Sequence, residues 1–142
     1  MTENNALAVV NAVNTAMSAE AGTVICSIPN DTRENQSAIY NALNNPAYRV
    51  ADFINKKIAI SNVLVEIRDI LNEETGEIAR VPRVVLIDKD GKGYQATSTG
   101  IFNSVRNAFN AFGPAPWDPA LTVEIKQKPV AKGSMLTFDV II

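Results

Sequence analysis

Histidine is absent from the 142-residue chain, and cysteine occurs once, as Cys26. The missing histidine removes the commonest general base and the commonest metal ligand. A single cysteine excludes an internal disulfide and a zinc site built from several thiolates of one chain. A reducing cytoplasm is the simplest compartment for such a chain. These absences favour a binding protein over an enzyme, with no metal and no cofactor.

Long apolar runs are also scarce. The longest apolar-leaning stretch, residues 6–17, is interrupted by Asn11, Asn14 and Thr15 and lacks a basic start. It is too polar for a signal peptide or a membrane span. The composition, 46% hydrophobic and 20% charged, is typical of a globular protein. We therefore expect a single compact domain that makes no contact with a membrane.

Positive charge is scarce in the first third of the chain. Residues 1–53 carry 2 basic and 5 acidic residues, a net charge of −3, whereas residues 54–142 carry 11 basic and 10 acidic residues. Affinity for a phosphate backbone depends on where the positive groups lie, so the overall net charge of −2 does not exclude nucleic acid.

The first third has a mixed pattern. Residues 6–20 have loose helical periodicity, and residues 23–28 have the composition of a short strand. Asp31 or Thr32 can cap a following helix, which Pro46 prevents from continuing. We expect residues 1–53 to form an N-terminal extension that packs on a main domain formed by residues 54–142.

The main domain begins with strands. The segment "KKIAISNVLVEIRDIL" is a long strand whose apolar parity changes at Ser61 and Asn62, which predicts a bulge. The segment "IARVPRVVLID" is a second strand, "KDGKG" a hairpin turn and "YQATS" a short third strand. In "DKDG", beginning at Asp88, the glycine stands at the wrong position for a calcium-binding EF-hand loop, so a plain turn is favoured.

A helix follows the third strand. Ser98 or Thr99 is its expected N-cap, and Gly113 its expected end. One apolar stripe follows helical spacing and contains Ile101, Phe102, Val105, Ala108, Phe109 and Phe112. The segments "LTVEIKQK" and "MLTFDVII" then alternate as two further strands. The order β-β-β-α-β-β predicts a mainly β protein with a five-stranded OB-fold barrel plugged by the helix. A β-grasp fold or an SH3-like barrel with an insertion would show a similar order.

The segments "NNPAYRVADFINKKIAISNVLVEI", "PRVVLIDKDGKGYQATSTGIFNSV", "FGPAPWDP" and "VEIKQKPVAKGSMLTFDV" resemble a family of single-stranded DNA-binding proteins. These proteins are encoded by phages and mobile elements of low-GC Gram-positive bacteria. The resemblance extends from about Thr32 to the C-terminus. It implies an OB-fold, coating of displaced single strands during replication in the host cytoplasm, and no catalysis. The partner is then single-stranded DNA, with replication proteins and a second copy of the chain as further candidates.

Binding of single-stranded DNA requires flat surfaces for bases and cations for phosphates. Strand parity and turn positions place nine candidate residues on the outside of the barrel. Tyr94 is the favoured stacking residue and Trp117 the next. The candidate nucleic-acid-binding set is Arg68, Arg80, Arg83, Lys92, Tyr94, Trp117, Lys126, Lys128 and Lys132.

Two other functions are compatible with the sequence. The acidic N-terminal third suits a non-catalytic OB-like module for protein interaction or virion assembly. A small carboxylate enzyme fits less well, since the acidic residues Glu73, Glu74 and Glu77 cluster on a turn where solvated charge is the simpler explanation.

Overall fold

The structure is a computed structural model that describes residues 11–131 and 133–141. Residues 11–14 are helical and are followed by a short 3-10 turn. The helical periodicity predicted for residues 6–20 is thus present in part, and residues 6–10 lie outside the described residues. The remaining elements, in chain order, are η1 (Ala16–Ser18), β1 (Val24–Cys26), α1 (Arg33–Asn44), β2 (Tyr48–Arg49), η2 (Val50–Phe53), β3 (Lys57–Leu71), β4 (Ile78–Asp88), β5 (Gly93–Thr97), α2 (Thr99–Phe112), β6 (Leu121–Pro129) and β7 (Ser134–Val140).

The seven strands form one curled sheet. Its strand order is β2-β5-β4-β3-β6-β7, and β1 pairs with β3 beside this path. All pairs are antiparallel except β2 with β5. The predicted order of elements is present from β3 onward, whereas β1 and β2 add two strands from the N-terminal third. Within the described residues no ladder joins β7 to β5 or β2, so the sheet is an open curl.

The predicted bulge in β3 is confirmed. The register between β3 and β4 shifts between Ile60 and Asn62. Ser27 stabilises the bulge, because its hydroxyl donates to Asn62 Oδ1 at 2.8 Å and accepts from the Val63 amide at 2.9 Å. The shift lets apolar residues on both sides of it, such as Ile60 and Val65, enter the same core.

Two apolar cores lie on opposite faces of the sheet. The larger core fills the concave face and is closed by α2, with Ile60, Leu86 and Phe102 buried in it. The smaller core packs α1 against the other face, mainly on Leu64 and Val85. The apolar run from Val84 to Ile87 is therefore buried on both faces, as its pattern predicts.

Helix α1 begins and ends where the sequence predicts. Thr32 is its N-cap, with its hydroxyl accepting from the Asn35 amide at 3.1 Å. Helix α2 has Ser98 as its N-cap, which accepts from the Ile101 amide at 3.1 Å. Both caps satisfy an amide that has no partner within the helix.

Helix α2 lies along the outer edge of β7. The Phe138 amide donates to the Ser104 hydroxyl at 3.3 Å, and Gly100 lies against the Leu136 carbonyl. The helix thus covers part of an edge that would otherwise leave its polar groups unpaired. The assignment of Phe112 to the buried stripe is wrong, because Phe112 is the last helical residue and is 54% exposed.

The helices of the described residues are short or polar. Within residues 11–131 and 133–141, none is long and apolar enough to cross a membrane.

Candidate nucleic-acid interface

Three aromatic rings cluster at the edge of the sheet formed by β2 and β5. The ring centroids of Tyr48 and Tyr94 are 5.0 Å apart, those of Phe53 and Tyr94 4.9 Å, and those of Tyr48 and Phe53 5.3 Å. These separations are those of interacting aromatic pairs. We call Tyr48, Phe53 and Tyr94 the aromatic cluster.

Backbone pairing fixes the position of the aromatic cluster. Tyr48 of β2 lies directly beside Tyr94 of β5 in a parallel register. Gly93 makes the close approach of the two segments feasible, because a Cβ atom there would lie 2.9 Å from Val85 Cγ1 and 3.4 Å from the Pro46 Cα. The turn η2 then places Phe53 against both tyrosines. The rings therefore rest on rigid backbone.

The three rings differ in exposure. Tyr48 is 38% exposed, Phe53 is half-buried and Tyr94 is only 8% exposed. The predicted outward position of Tyr94 is wrong, because its partner Leu86 on β4 faces the concave core and Tyr94 shares that face. Tyr48 therefore presents the accessible ring of the cluster, and the buried ring of Tyr94 packs against it on the core side.

A hydrogen bond anchors Tyr94. Its hydroxyl donates to Asp88 Oδ2 at 3.0 Å. Burial, this hydrogen bond and the negative charge of Asp88 raise the pKa of Tyr94 to about 12. The phenol is therefore a neutral donor at physiological pH.

The turn after β4 is organised by the same carboxylate. Asp88 Oδ1 accepts from the Asp90 and Lys92 amides, each at 2.9 Å. The segment "DKDG" is thus a hairpin turn held by its first residue, as the sequence predicts. Across the described ranges, no group of three or more acidic or cysteine side chains is placed to hold a metal ion.

Several lysines lie at the same end of the sheet as the aromatic cluster. Lys56 Nζ lies 5.6 Å from the centroid of the Phe53 ring, within the range of a cation–π contact. Lys57 opens β3, and the amide of Lys89 donates to the Ala59 carbonyl, which brings both residues to the same end of the sheet. Lys92 is exposed in the adjacent turn. This end of the sheet combines a ring accessible to solvent with cations, which is what a base and its phosphate require.

Arg49 follows Tyr48 in β2, but an ion pair with Asp52 offsets its positive charge. Its guanidinium donates to both carboxylate oxygens of Asp52, at 3.0 and 3.3 Å. Both side chains are exposed, so solvent screens the pair and it adds little to stability. A phosphate could therefore compete with Asp52 for Arg49.

Two predicted residues lie on the hairpin formed by β3 and β4. Arg68 is exposed there, and Arg80 forms an ion pair with Asp69 at 3.3 Å while donating to the Ala19 carbonyl at 2.8 Å. The structure places both residues away from the aromatic cluster, beyond the part of β4 that pairs with β5.

Arg83 lies on the outer face of the sheet, as its strand parity predicts, but its side chain is covered there. Arg83 is 7% exposed, and its guanidinium donates to Glu66 Oε1 at 3.3 Å and to Gln95 Oε1 at 3.2 Å. Glu66 is its direct cross-strand neighbour on β3. These contacts leave the guanidinium fixed within the sheet face.

The prediction for Trp117 is wrong in position. Trp117 is 8% exposed, and its ring packs edge-to-face on Phe109, with centroids 5.5 Å apart. Its indole Nε1 donates to the Gly113 carbonyl at 3.1 Å. Because both the ring and its polar atom have partners inside the fold, Trp117 is a core residue.

The remaining predicted lysines lie on β6 or after it. Lys126 is half-buried and forms an ion pair with Glu124. That contact lowers the pKa of Glu124 and raises the pKa of Lys126. Lys128 is exposed and borders a groove of about 450 Å³ between α2 and β7. Lys132 lies outside the described residues.

Sequence reasoning missed Tyr48, Phe53 and Lys56 as members of the interface. The segment "YRVADFINKK" does interleave aromatic and basic residues, and this was the available signal. A strand of two residues such as β2 has no periodicity of its own, so nothing in the segment identified it as part of the sheet.

Comparison with known proteins agrees with the resemblance noted in the sequence. A family model described as "Phage Single-stranded DNA-binding protein", of the Phi29 type, matches residues 18–140. No curated protein and no solved structure matches. The match covers most of the chain, including every described strand. The chain therefore belongs to the Phi29-type family of phage single-stranded DNA-binding proteins.

Proposed function

We propose that the protein binds single-stranded DNA with little sequence preference and coats it during the replication of a phage or mobile element in the cytoplasm of a low-GC Gram-positive host. The single observation that carries this proposal is the aromatic cluster, which combines the accessible ring of Tyr48 with the cation–π contact of Lys56 and Phe53 and with exposed Lys92 in the adjacent turn. Membership of the phage single-stranded DNA-binding family supports it.

The chemistry of this site suits a sequence-tolerant contact. Every base has a π-face that can stack on the ring of Tyr48, whereas the lysines attract phosphates without regard to the base. Contacts with the rings of Tyr94 and Phe53 hold the Tyr48 ring in place. The protein thus binds its partner and transforms nothing, so we infer no catalytic role and no cofactor.

We further infer that the fold is an OB-fold in which residues 54–142 form the barrel unit and residues 1–53 an extension packed on it. The element order β-β-β-α-β-β from β3 onward supports this inference. Helix α2 packs against β7 and β4, and its apolar stripe lies in the concave core. The extension contributes β1, α1 and β2 to the periphery of the same sheet.

Titration with fluorescent oligonucleotides tests the proposed function. Oligo-dT and a mixed-sequence strand of the same length should bind with similar affinity, and affinity should fall as salt rises. Each neutralised phosphate on a single strand contributes about −0.7 to the slope of log affinity against log salt. Lys92→Gln should flatten the slope by about that amount, whereas Arg33→Gln, at the start of α1, should leave it unchanged.

A lack of binding at low salt would exclude the DNA-binding proposal. The alternative of a non-catalytic OB-like module for protein interaction or virion assembly would then take its place.

A further inference from the structure

The hairpin of β3 and β4 extends beyond the rest of the sheet. The ladder between the two strands continues to Leu71 and Ile78, whereas β1 pairs with β3 only at 64–66 and β5 pairs with β4 only at 83–87. Residues 68–82 therefore form a two-stranded ribbon with no third strand on either side among the described residues. We call this segment the distal ribbon.

The distal ribbon carries apolar side chains that the fold leaves uncovered. Ile78 is 68% exposed, Leu71 57% and Ile70 48%. Leu71 and Ile78 are direct cross-strand partners, so their side chains form one apolar pair on one face. At the stem, Arg80 donates to the Ala19 carbonyl and the Ser98 amide donates to the Pro82 carbonyl, so the uncovered part is the distal end around Leu71 and Ile78. A two-stranded ribbon is only marginally stable alone, and an uncovered end with an apolar pair is typical of a surface that another chain covers.

Charge is segregated along the distal ribbon. Its tip carries Glu73, Glu74 and Glu77, all exposed. Its stem carries Arg68 and Arg80, with one acidic residue, Asp69, paired to Arg80. An acidic tip repels a phosphate backbone, which argues against DNA as the molecule that covers the ribbon.

The same segregation of charge favours a second copy of the chain as the molecule that covers the distal ribbon. When two ribbons pack side by side in opposite directions, the acidic tip of each copy lies beside the arginine stem of the other. A two-fold axis repeats this contact twice and places the apolar pairs of both copies at the centre. Charge complementarity and apolar burial are then satisfied by one arrangement.

We propose that the distal ribbon is a self-association surface, in which Leu71 and Ile78 of two copies pack together and each acidic tip faces the stem of the other copy. The ribbon is small, so the contact is weak between free molecules. If the proposed function holds, neighbouring copies on one DNA strand are held at a high effective concentration, and the same contact favours contiguous coating.

Sedimentation velocity in the absence of DNA tests whether the distal ribbon mediates self-association. The wild-type protein should show reversible dimerisation as its concentration rises. Leu71→Asp and Ile78→Asp should each raise the dimer dissociation constant about tenfold or more, because each replaces a buried aliphatic side chain with a charge. Tyr40→Asp is the matched control, since Tyr40 is 64% exposed on α1 and its replacement should leave dimerisation unchanged. Thermal melting checks that each variant is folded.

A charge swap tests the opposed arrangement of the two copies. Arg68→Glu makes the stem more acidic, and Glu74→Arg makes the tip less acidic, so each variant alone should dimerise more weakly than the wild type. An equimolar mixture should regain dimers, because each altered tip then faces an altered stem of opposite charge.

Several results would overturn this inference without touching the proposed function. A wild-type protein that stays monomeric up to its solubility limit would do so, as would a Leu71→Asp variant that dimerises like the wild type. A charge-swap mixture that regains no dimer would exclude the opposed arrangement. Variants of the ribbon that lose oligonucleotide affinity with an unchanged oligomeric state would assign the ribbon to DNA instead.

Discussion

Gly100 in the first turn of α2 offers a test of how the helix meets the sheet. Glycine inside a helix is about 1 kcal/mol less favourable than alanine, so Gly100→Ala should stabilise an exposed helix. In this fold a Cβ atom at residue 100 would lie 2.1 Å from the Leu136 carbonyl oxygen and 2.5 Å from Met135 Cγ. The carbonyl belongs to the backbone of β7 and cannot rotate away. We therefore expect the opposite sign.

The expected change in the free energy of unfolding follows from overpacking of the added methyl group. Forcing an extra methyl group into a filled contact costs about 1–3 kcal/mol. Moving α2 away from β7 would also lengthen the 3.3 Å hydrogen bond from the Phe138 amide to Ser104. The gain in helix propensity of about 1 kcal/mol offsets part of this cost, and the weakened hydrogen bond, worth about 0.5–1.5 kcal/mol, adds to it. Gly100→Ala should therefore lower the free energy of unfolding by about 0.5–3.5 kcal/mol.

Chemical denaturation measures this difference. Asn103→Ala is the matched control, because Asn103 is exposed on the same helix and alanine there should be neutral or slightly stabilising. A Gly100→Ala variant at least as stable as the wild type would show that α2 does not lie against β7 as described.

Two further predictions concern the core and the aromatic cluster. Phe109→Ala should cost about 3–5 kcal/mol of unfolding free energy in chemical denaturation, since Phe109 is 3% exposed and supports the Trp117 ring; a loss below about 1 kcal/mol would contradict its burial. Tyr94 has a pKa raised from 10.0 to about 12 by the fold, so the stability it contributes is complete below pH 10 and is lost as pH rises toward 12. Unfolding free energies measured across this range should fall less steeply for Tyr94→Phe than for the wild type, and equal slopes would refute the assignment.

Local patterns in the sequence predicted much of the fold. The long β3 strand, its bulge at Ser61 and Asn62, and helix α2 with its Ser98 cap all follow from spacing and capping rules. These features depend on residues near one another in the chain. The two-residue strand β2 was not predicted, because its formation depends on pairing in register with β5, which is distant in the chain.

The candidate site was predicted less well because exposure depends on neighbours distant in sequence. Tyr94 is buried because β5 pairs with β4 in a register that aligns it with Leu86 on the concave face. Arg83 is held by Glu66 because the two residues are direct cross-strand partners. Strand parity gives the alternation of faces, but it does not give the register that decides which face is covered.

The predicted binding roles of Arg68, Lys92 and Lys128 stay predictions. All three are exposed, and none is engaged in an ion pair within the described residues. Lys92 adjoins the aromatic cluster, whereas Arg68 and Lys128 lie elsewhere on the surface. We therefore expect Lys92 to affect DNA affinity most directly among the three.

The most direct test of the proposed DNA-binding site is the affinity of Tyr48→Ala for fluorescent oligo-dT, measured beside Tyr40→Ala at several salt concentrations. Tyr48 offers the accessible ring of the aromatic cluster, and stacking of one base is worth about 1–3 kcal/mol. Tyr48→Ala should therefore weaken binding by about fivefold to 150-fold with little change in the salt slope, while Tyr40→Ala binds like the wild type. Equal affinities for Tyr48→Ala, Tyr40→Ala and the wild type would contradict the claim that this cluster is where single-stranded DNA binds.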